Sequence, residues 1–377
     1  MLYMYPDYYK EFQCLADKCE DTCCAGWKIG IDERSLETYR TKEGDFGKKL
    51  QRSIHWKKGC YKQDKDKRCV LLDSNNLCSM QLNLGEDSLC KTCREYPRHM
   101  EEFENMREMS LSISCPEAAR ILLTKEEPVT FYAYGKEGTE KYEGYDEVLY
   151  ARLLAAREVM REIVSNRDLD LELRAGLILG LAHDMQVRIN KKDLSSCDKL
   201  FVRCRKEKAL KAVEQKIKEN RRNRTRSYSL SKKIFRNLYR MELIHEEWDS
   251  HLKETESILY GMGSWGYERL HEEFDAWLKE YMPNWQIQYE QLLIYFLYTY
   301  FCGGVYDGKV YSKALMTVNC VWLIYEMMTA RWSKNGRLID MEDMVMVVYR
   351  FSRELEHSDY NLEIMEQMMG QRCMSLI

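Results

Sequence analysis

Ten of the fifteen cysteines in this 377-residue chain lie at or before Cys115, and the remaining two-thirds of the sequence holds five. So uneven a distribution marks the first third as a unit with its own chemistry. In a secreted chain such density would build a disulfide framework. Here Asp7, Lys10 and Glu11 interrupt the N-terminal stretch MLYMYPDYYKEFQC where an export signal needs an unbroken apolar run, so the expected compartment is the reducing cytoplasm. Closely spaced thiols in that compartment bind metal more often than they pair.

The spacing sharpens this expectation. Cys14, Cys19, Cys23 and Cys24 form one group, Cys69 and Cys78 a second, and Cys90 and Cys93 a third. The two-residue gap between Cys90 and Cys93 lets both sulfurs face one ion, and thiolate-only donor sets select zinc or an iron–sulfur cluster over hard cations. The ligands divide into two sets of four or are drawn across the groups. Set against this, free cysteine often serves as a small buried hydrophobe, and Cys60 in KKGCYKQDKDK reads equally as a loop thiol. Cys115, before Pro116 at a helix start, suits either role: the helix dipole there lowers a thiol pKa.

The rest of the chain is simpler. Only five prolines and a 45 % hydrophobic, 32 % charged composition predict a mainly α fold, with the cysteine-rich irregular region (1–130) packed on a multi-helix body (131–377). That body divides into helices with a basic segment (131–240) and a C-terminal helical core (241–377). Helical stripes run from Tyr145 to about Ser165 and from Leu171 to Ile189, with Asp170 a possible cap. VTFYAY (129–134) reads as a short strand or linker. Leu292–Tyr306 and Val318–Met328 fall short of the about 20 residues that span a bilayer and are broken by Gly303, Gly304 and Glu326, so they read as buried helices and no membrane partner is expected.

The basic segment Lys191–Arg240 contains an amphipathic helix through Leu210, Val213 and Ile217, with RRNRTR (221–226) near its end. A solvated basic face explains it better than a nucleic-acid contact, since glutamates intersperse it and the whole chain carries a net charge of only −3. Gly261, Gly263 and Gly266 match GxGxxG in form, yet no βα alternation surrounds them, so they read as an interhelical turn.

The segments FQCLADKCEDTCCAGW (12–27), CVLLDSNNLCSMQLNLGEDSLCKTCREYPR (69–98), LSISCPEAARILL (111–123), WSKNGRLIDMEDMV (332–345) and YRFSRELEHSDYNLE (349–363) resemble the flagellin lysine N-methylase family. The N-terminal part is also similar to CxxCxxCC putative zinc- or iron-chelating domains, with wider gaps here. The resemblance implies transfer of a methyl group from S-adenosylmethionine to lysine ε-amines of flagellin before its export.

Such a transfer requires a neutral amine, whereas lysine with a pKa of about 10.4 is protonated at neutral pH. Polar groups crowd the turn at Glu356, His357, Ser358, Asp359 and Asn361, so Glu356 and His357 are the candidate proton acceptors; a capped helix end is the plainer explanation of the same turn. No residues that bind the methyl donor can be assigned. The cysteine site is expected to hold one [4Fe–4S] cluster or zinc, in a structural role or as an open-iron site for the donor's amino and carboxylate groups; the CxxxCxxC radical signature is missing. Two other functions compete, a non-enzymatic zinc- or iron-chelating protein and a zinc-dependent nucleic-acid binder.

Overall fold

A computed structural model describes residues 1–369. Helices dominate, and the two apolar stretches of the C-terminal half are their centre. Trp285–Tyr300 is buried on nearly every side, and Val310–Lys334 packs against it and against Leu171–Asn190. A helix apolar all round belongs inside a domain, where its side chains leave water on every face. Among the described residues no helix is long and apolar enough to cross a membrane.

Charge enters this core only with partners, because an unpaired buried charge is costly. Buried Glu290 meets Arg174 at 2.7 Å and Arg167 at 3.0 Å. Glu326 accepts hydrogen bonds from Tyr260 at 2.9 Å and Tyr267 at 2.8 Å and lies 2.7 Å from the His271 ring. The predicted stripes form helices Glu147–Val164 and Leu171–Asn190, although the Asp170 side chain makes no capping bond. Gly261 ends one helix and Gly263 opens the next, so the glycine triplet is an interhelical turn, with Gly266 already inside the second helix.

The N-terminal third holds more regular structure than an irregular cap. Strands β1 (Leu2–Pro6), β4 (Arg98–Phe103), β5 (Met106–Leu111) and β6 (Phe131–Gly135) form one sheet in the order β4-β5-β1-β6, while β2 (Ile54–His55) and β3 (Cys60–Tyr61) make a separate small hairpin. β1 pairs parallel with β5, Tyr3 opposite Arg107, and antiparallel with β6, Tyr3 opposite Tyr134. The VTFYAY segment is therefore an edge strand whose partner lies at the other end of the cysteine-rich region. Cys60, equally a loop thiol or a ligand on sequence alone, is buried in β3.

The cysteine-rich region has its own small core of Ile29, Ile31, Tyr39, Leu50, Ile54, Tyr61, Leu71 and Met80. It attaches to the helical body through ion pairs and backbone contacts. Arg353 meets Asp21 at 2.6 Å, Arg120 meets Glu342 at 2.6 Å, and the Lys67 ammonium donates to the carbonyls of Leu243 and Ile244.

Candidate functional site

Four of the quoted segments meet at the end of helix Met341–Glu356. The helix carries an apolar face inward through Val347, Val348, Phe351 and Leu355, which turns Arg353, Glu354 and Glu356 toward neighbouring elements near its C-terminus. Glu356 is its last residue, His357 caps it, and Asp359 opens the following helix.

The Glu356 carboxylate accepts hydrogen bonds from Ser112 at 2.5 Å, Tyr295 at 2.7 Å and Tyr300 at 3.0 Å. Burial holds its carboxyl above the ordinary range against the opposing pull of those hydroxyls. From Ser112 the polar contacts continue: its Oγ lies 2.6 Å from Ser114 Oγ, which lies 3.0 Å from His357 Nε2 and 3.0 Å from the Tyr96 hydroxyl. Two hydroxyls thus connect Glu356 to His357.

The His357 ring is walled by Trp27, with ring centroids 4.7 Å apart, and by Tyr96 at 5.8 Å. Burial pushes its pKa down to about 3, and the nearby Arg353 and His245 add to the effect. Its Nδ1 is buried without a hydrogen-bond partner among the described residues. Trp27, Tyr96 and the Ser112–Ser114 turn come from three different segments, so the pair named from sequence sits at a real convergence of them.

One turn earlier on the same helix, Arg353 and Glu354 line a cavity of about 1000 Å³ at the junction with the cysteine-rich region. Glu356 and His357 stand behind this wall and do not line it. The buried Glu354 carboxylate accepts from the backbone N–H groups of Ile244 and His245, each at 2.9 Å, and lies 2.9 Å from His245 Nδ1. Asn361 completes the clamp, donating to the Glu354 carbonyl at 2.6 Å and the Glu242 carbonyl at 2.9 Å while accepting from the Glu242 N–H. Opposite, Gly26 adopts φ +88°, and a Cβ there would come within 2.6 Å of His245 Nε2. The lining holds seven carboxylates (Glu20, Asp21, Asp66, Glu246, Glu247, Glu254, Glu354) against three cations (Lys67, Arg350, Arg353). His245, Trp248 and Lys67 were missed in the sequence, which offers no periodicity or spacing to single them out.

All fourteen described cysteines are free thiols. Folding brings the three groups into one neighbourhood: Cys24, Cys69, Cys78, Cys90 and Cys93 all pack in or against the small core, and Cys69 feels the charges of Cys78, Cys90 and Cys23. The thiols stand in pairs. A hydrogen bond with Cys93 lowers the Cys90 pKa and raises that of Cys93, and one with Cys24 raises that of Cys23. Burial raises Cys19, takes Cys69 up to about 11, and takes Cys115 up to about 12; at Cys115 desolvation outweighs the helix-dipole effect expected there. Cys14 lies exposed at the rim. The donor chemistry fits a thiolate-bound metal, although as placed no three His, Cys, Asp or Glu side chains among the described residues form a group that could hold an ion.

Residues 157–376 match the family model of the FliB lysine N-methylase C-terminal domain. The chain belongs to the FliB lysine N-methylase family. Among curated FliB-family relatives, the flagellar biosynthetic protein FliU of Salmonella muenchen is 32 % identical over 128 residues, covering 31 % of this chain and 75 % of the relative. The Lysine-N-methylases of Salmonella typhimurium and Salmonella choleraesuis are 33 % identical over 128 residues, in each case 31 % of both chains. The match thus spans under a third of each Lysine-N-methylase. No solved structure matches.

Proposed function

We propose that this FliB-family chain transfers a methyl group from S-adenosylmethionine to lysine ε-amines of flagellin in the cytoplasm, within the cavity between the cysteine-rich region and helix Met341–Glu356. The observation that carries the reading is the cavity's charge, seven carboxylates against three cations where segments 12–27 and 349–363 meet. Such a lining draws in a lysine ammonium and disfavours an anionic ligand. The relatives' names, Lysine-N-methylase and flagellar biosynthetic protein, supply the reaction type and the flagellar setting.

The incoming amine must lose a proton before it can attack. In this reading His245, which lines the cavity and is held at Nδ1 by the buried Glu354 carboxylate, accepts it, while Glu356 and His357 stand behind the wall and position the end of the helix. The thiols of Cys14, Cys19, Cys23, Cys24, Cys69, Cys78, Cys90 and Cys93 would hold a [4Fe–4S] cluster or zinc. A cluster with an open iron would bind the donor's amino and carboxylate groups, whereas zinc would serve structurally.

Anaerobically purified protein incubated with labelled S-adenosylmethionine and flagellin, with iron and zinc quantified in the same sample, tests the reading. Label on flagellin lysines is the expected result. Tightly bound metal without label would favour a chelating protein instead, the alternative that the gathering of the thiols supports.

A further inference from the structure

Lys67 is the one lysine among the described residues lining the cavity, and its side chain is held there by unusual means. The residue adopts φ +56°, a left-handed conformation that costs a non-glycine residue of order 1 kcal/mol or more. The surrounding contacts keep it there. Its carbonyl accepts from the Gly26 N–H at 3.1 Å and from Gln63 Nε2 at 2.7 Å. Its Nζ donates to the carbonyls of Ile244 at 3.1 Å and Leu243 at 3.2 Å.

Those two carbonyls are themselves fixed, since the Ile244 and His245 N–H groups are clamped by Glu354. An amine that gives two N–H groups to two fixed carbonyls has its remaining tetrahedral position defined. In the neutral amine that position is the lone pair. Among the described residues no carboxylate lies within ion-pair distance of Nζ, so this contact is not a simple surface ion pair.

We propose that Lys67 is a substrate of the protein's own site, methylated in cis and occupying the place an incoming lysine would take. The inference rests on the reading of the cavity as the methylation site. The step balances with the same sulfonium methyl donor: Nζ loses one proton to water, its lone pair forms the N–C bond, and the S–CH₃ bond breaks with its electrons staying on sulfur as a neutral thioether. After one methyl transfer Nζ keeps two N–H groups, enough for both carbonyls; a second transfer leaves one, and the hold of the Asp66–Arg68 turn on the 243–244 segment then weakens.

The experiment incubates the full chain with labelled S-adenosylmethionine alone, at several protein concentrations, with a parallel reaction containing flagellin and a Lys67→Arg variant alongside. Methylation of Lys67 is measured by peptide mass spectrometry before and after incubation. The expected result is label on the Lys67 peptide, at a rate per molecule independent of protein concentration, with that label lost in Lys67→Arg. Label on flagellin but none on Lys67 would overturn the inference and leave the methylation reading standing. A rate proportional to protein concentration would overturn methylation in cis, and absence of label from both proteins would remove the reading together with the inference.

Discussion

The Tyr295 hydroxyl donates to Glu356 Oε1 across 2.7 Å, tying the most buried helix of the body to the last residue of helix Met341–Glu356. Tyr300 and Ser112 converge on the same carboxylate, so one side chain satisfies three hydroxyls from two further elements. Replacing Glu356 by Gln leaves at least one of them poorly matched, at a cost of about 1–3 kcal/mol. Because the folded pKa is raised above its ordinary 4.5, the group's contribution is fully present at acid pH and declines as pH rises through the folded value. Chemical denaturation should therefore show the gap between native protein and Glu356→Gln shrinking from pH 4.5 towards neutrality; a gap that widens over that range would contradict the assignment.

His357 runs the other way. With a folded pKa near 3 against an ordinary 6.5, it stays neutral in the fold while the unfolded chain takes up its proton. Stability is present above 6.5 and is lost as pH falls toward 3, with a limiting slope of about 1.4 kcal/mol per pH unit for one such group. His357→Gln should flatten that part of the pH–stability curve. Curves of equal slope for the two proteins between about pH 6 and about pH 4, the window between the folded and the ordinary value, would mean the ring titrates normally.

Gly26 is the point where the cysteine-rich region comes closest to His245. Alanine there combines a left-handed backbone with a Cβ 2.6 Å from the ring nitrogen, so either the turn or the His245–Glu354 pair must give. We expect Gly26→Ala to lower stability by about 1–3 kcal/mol and to reduce methylation by more than the stability loss explains. A variant with native melting temperature and activity would show that this approach is loose.

If the gathered thiols hold a metal, Cys→Ser changes at Cys24, Cys69, Cys78, Cys90 or Cys93 should lower iron or zinc content in protein purified without oxygen. Cys302 and Cys320, buried far along the chain in the helical core, should keep it when changed. Metal content unchanged in every variant of the first set would reduce those cysteines to packing residues.

Much of this architecture was readable from residue patterns, and the failures have physical causes. Helical periodicity locates Glu147–Val164 and Leu171–Asn190 because one face of each is buried, and the crowding of polar residues at Glu356 and His357 marks a turn that does meet Trp27, Tyr96 and Ser114. The sheet was hidden because β1 is paired with strands more than a hundred residues away, and Leu2, Tyr3 and Met4 alone carry no alternation strong enough to announce it. The cavity was hidden for a similar reason. Lys67, His245 and Glu354 are ordinary polar residues in their local context and become a site only when Arg353–Asp21 and Lys67–Ile244 contacts bring three segments together.

The most direct test of the central claim is the kinetics of flagellin methylation by native protein and by a Glu246→Gln/Glu247→Gln double variant. Both carboxylates line the cavity, are exposed and lie outside the core, so the fold should survive the change. The account predicts labelled flagellin lysines with the native chain and, in the variant, a KM for flagellin raised roughly tenfold, the equivalent of about 1.4 kcal/mol, at nearly unchanged kcat. Native activity with identical KM in the variant would place the chemistry elsewhere, and no methylation by metal-replete native protein would contradict the account itself.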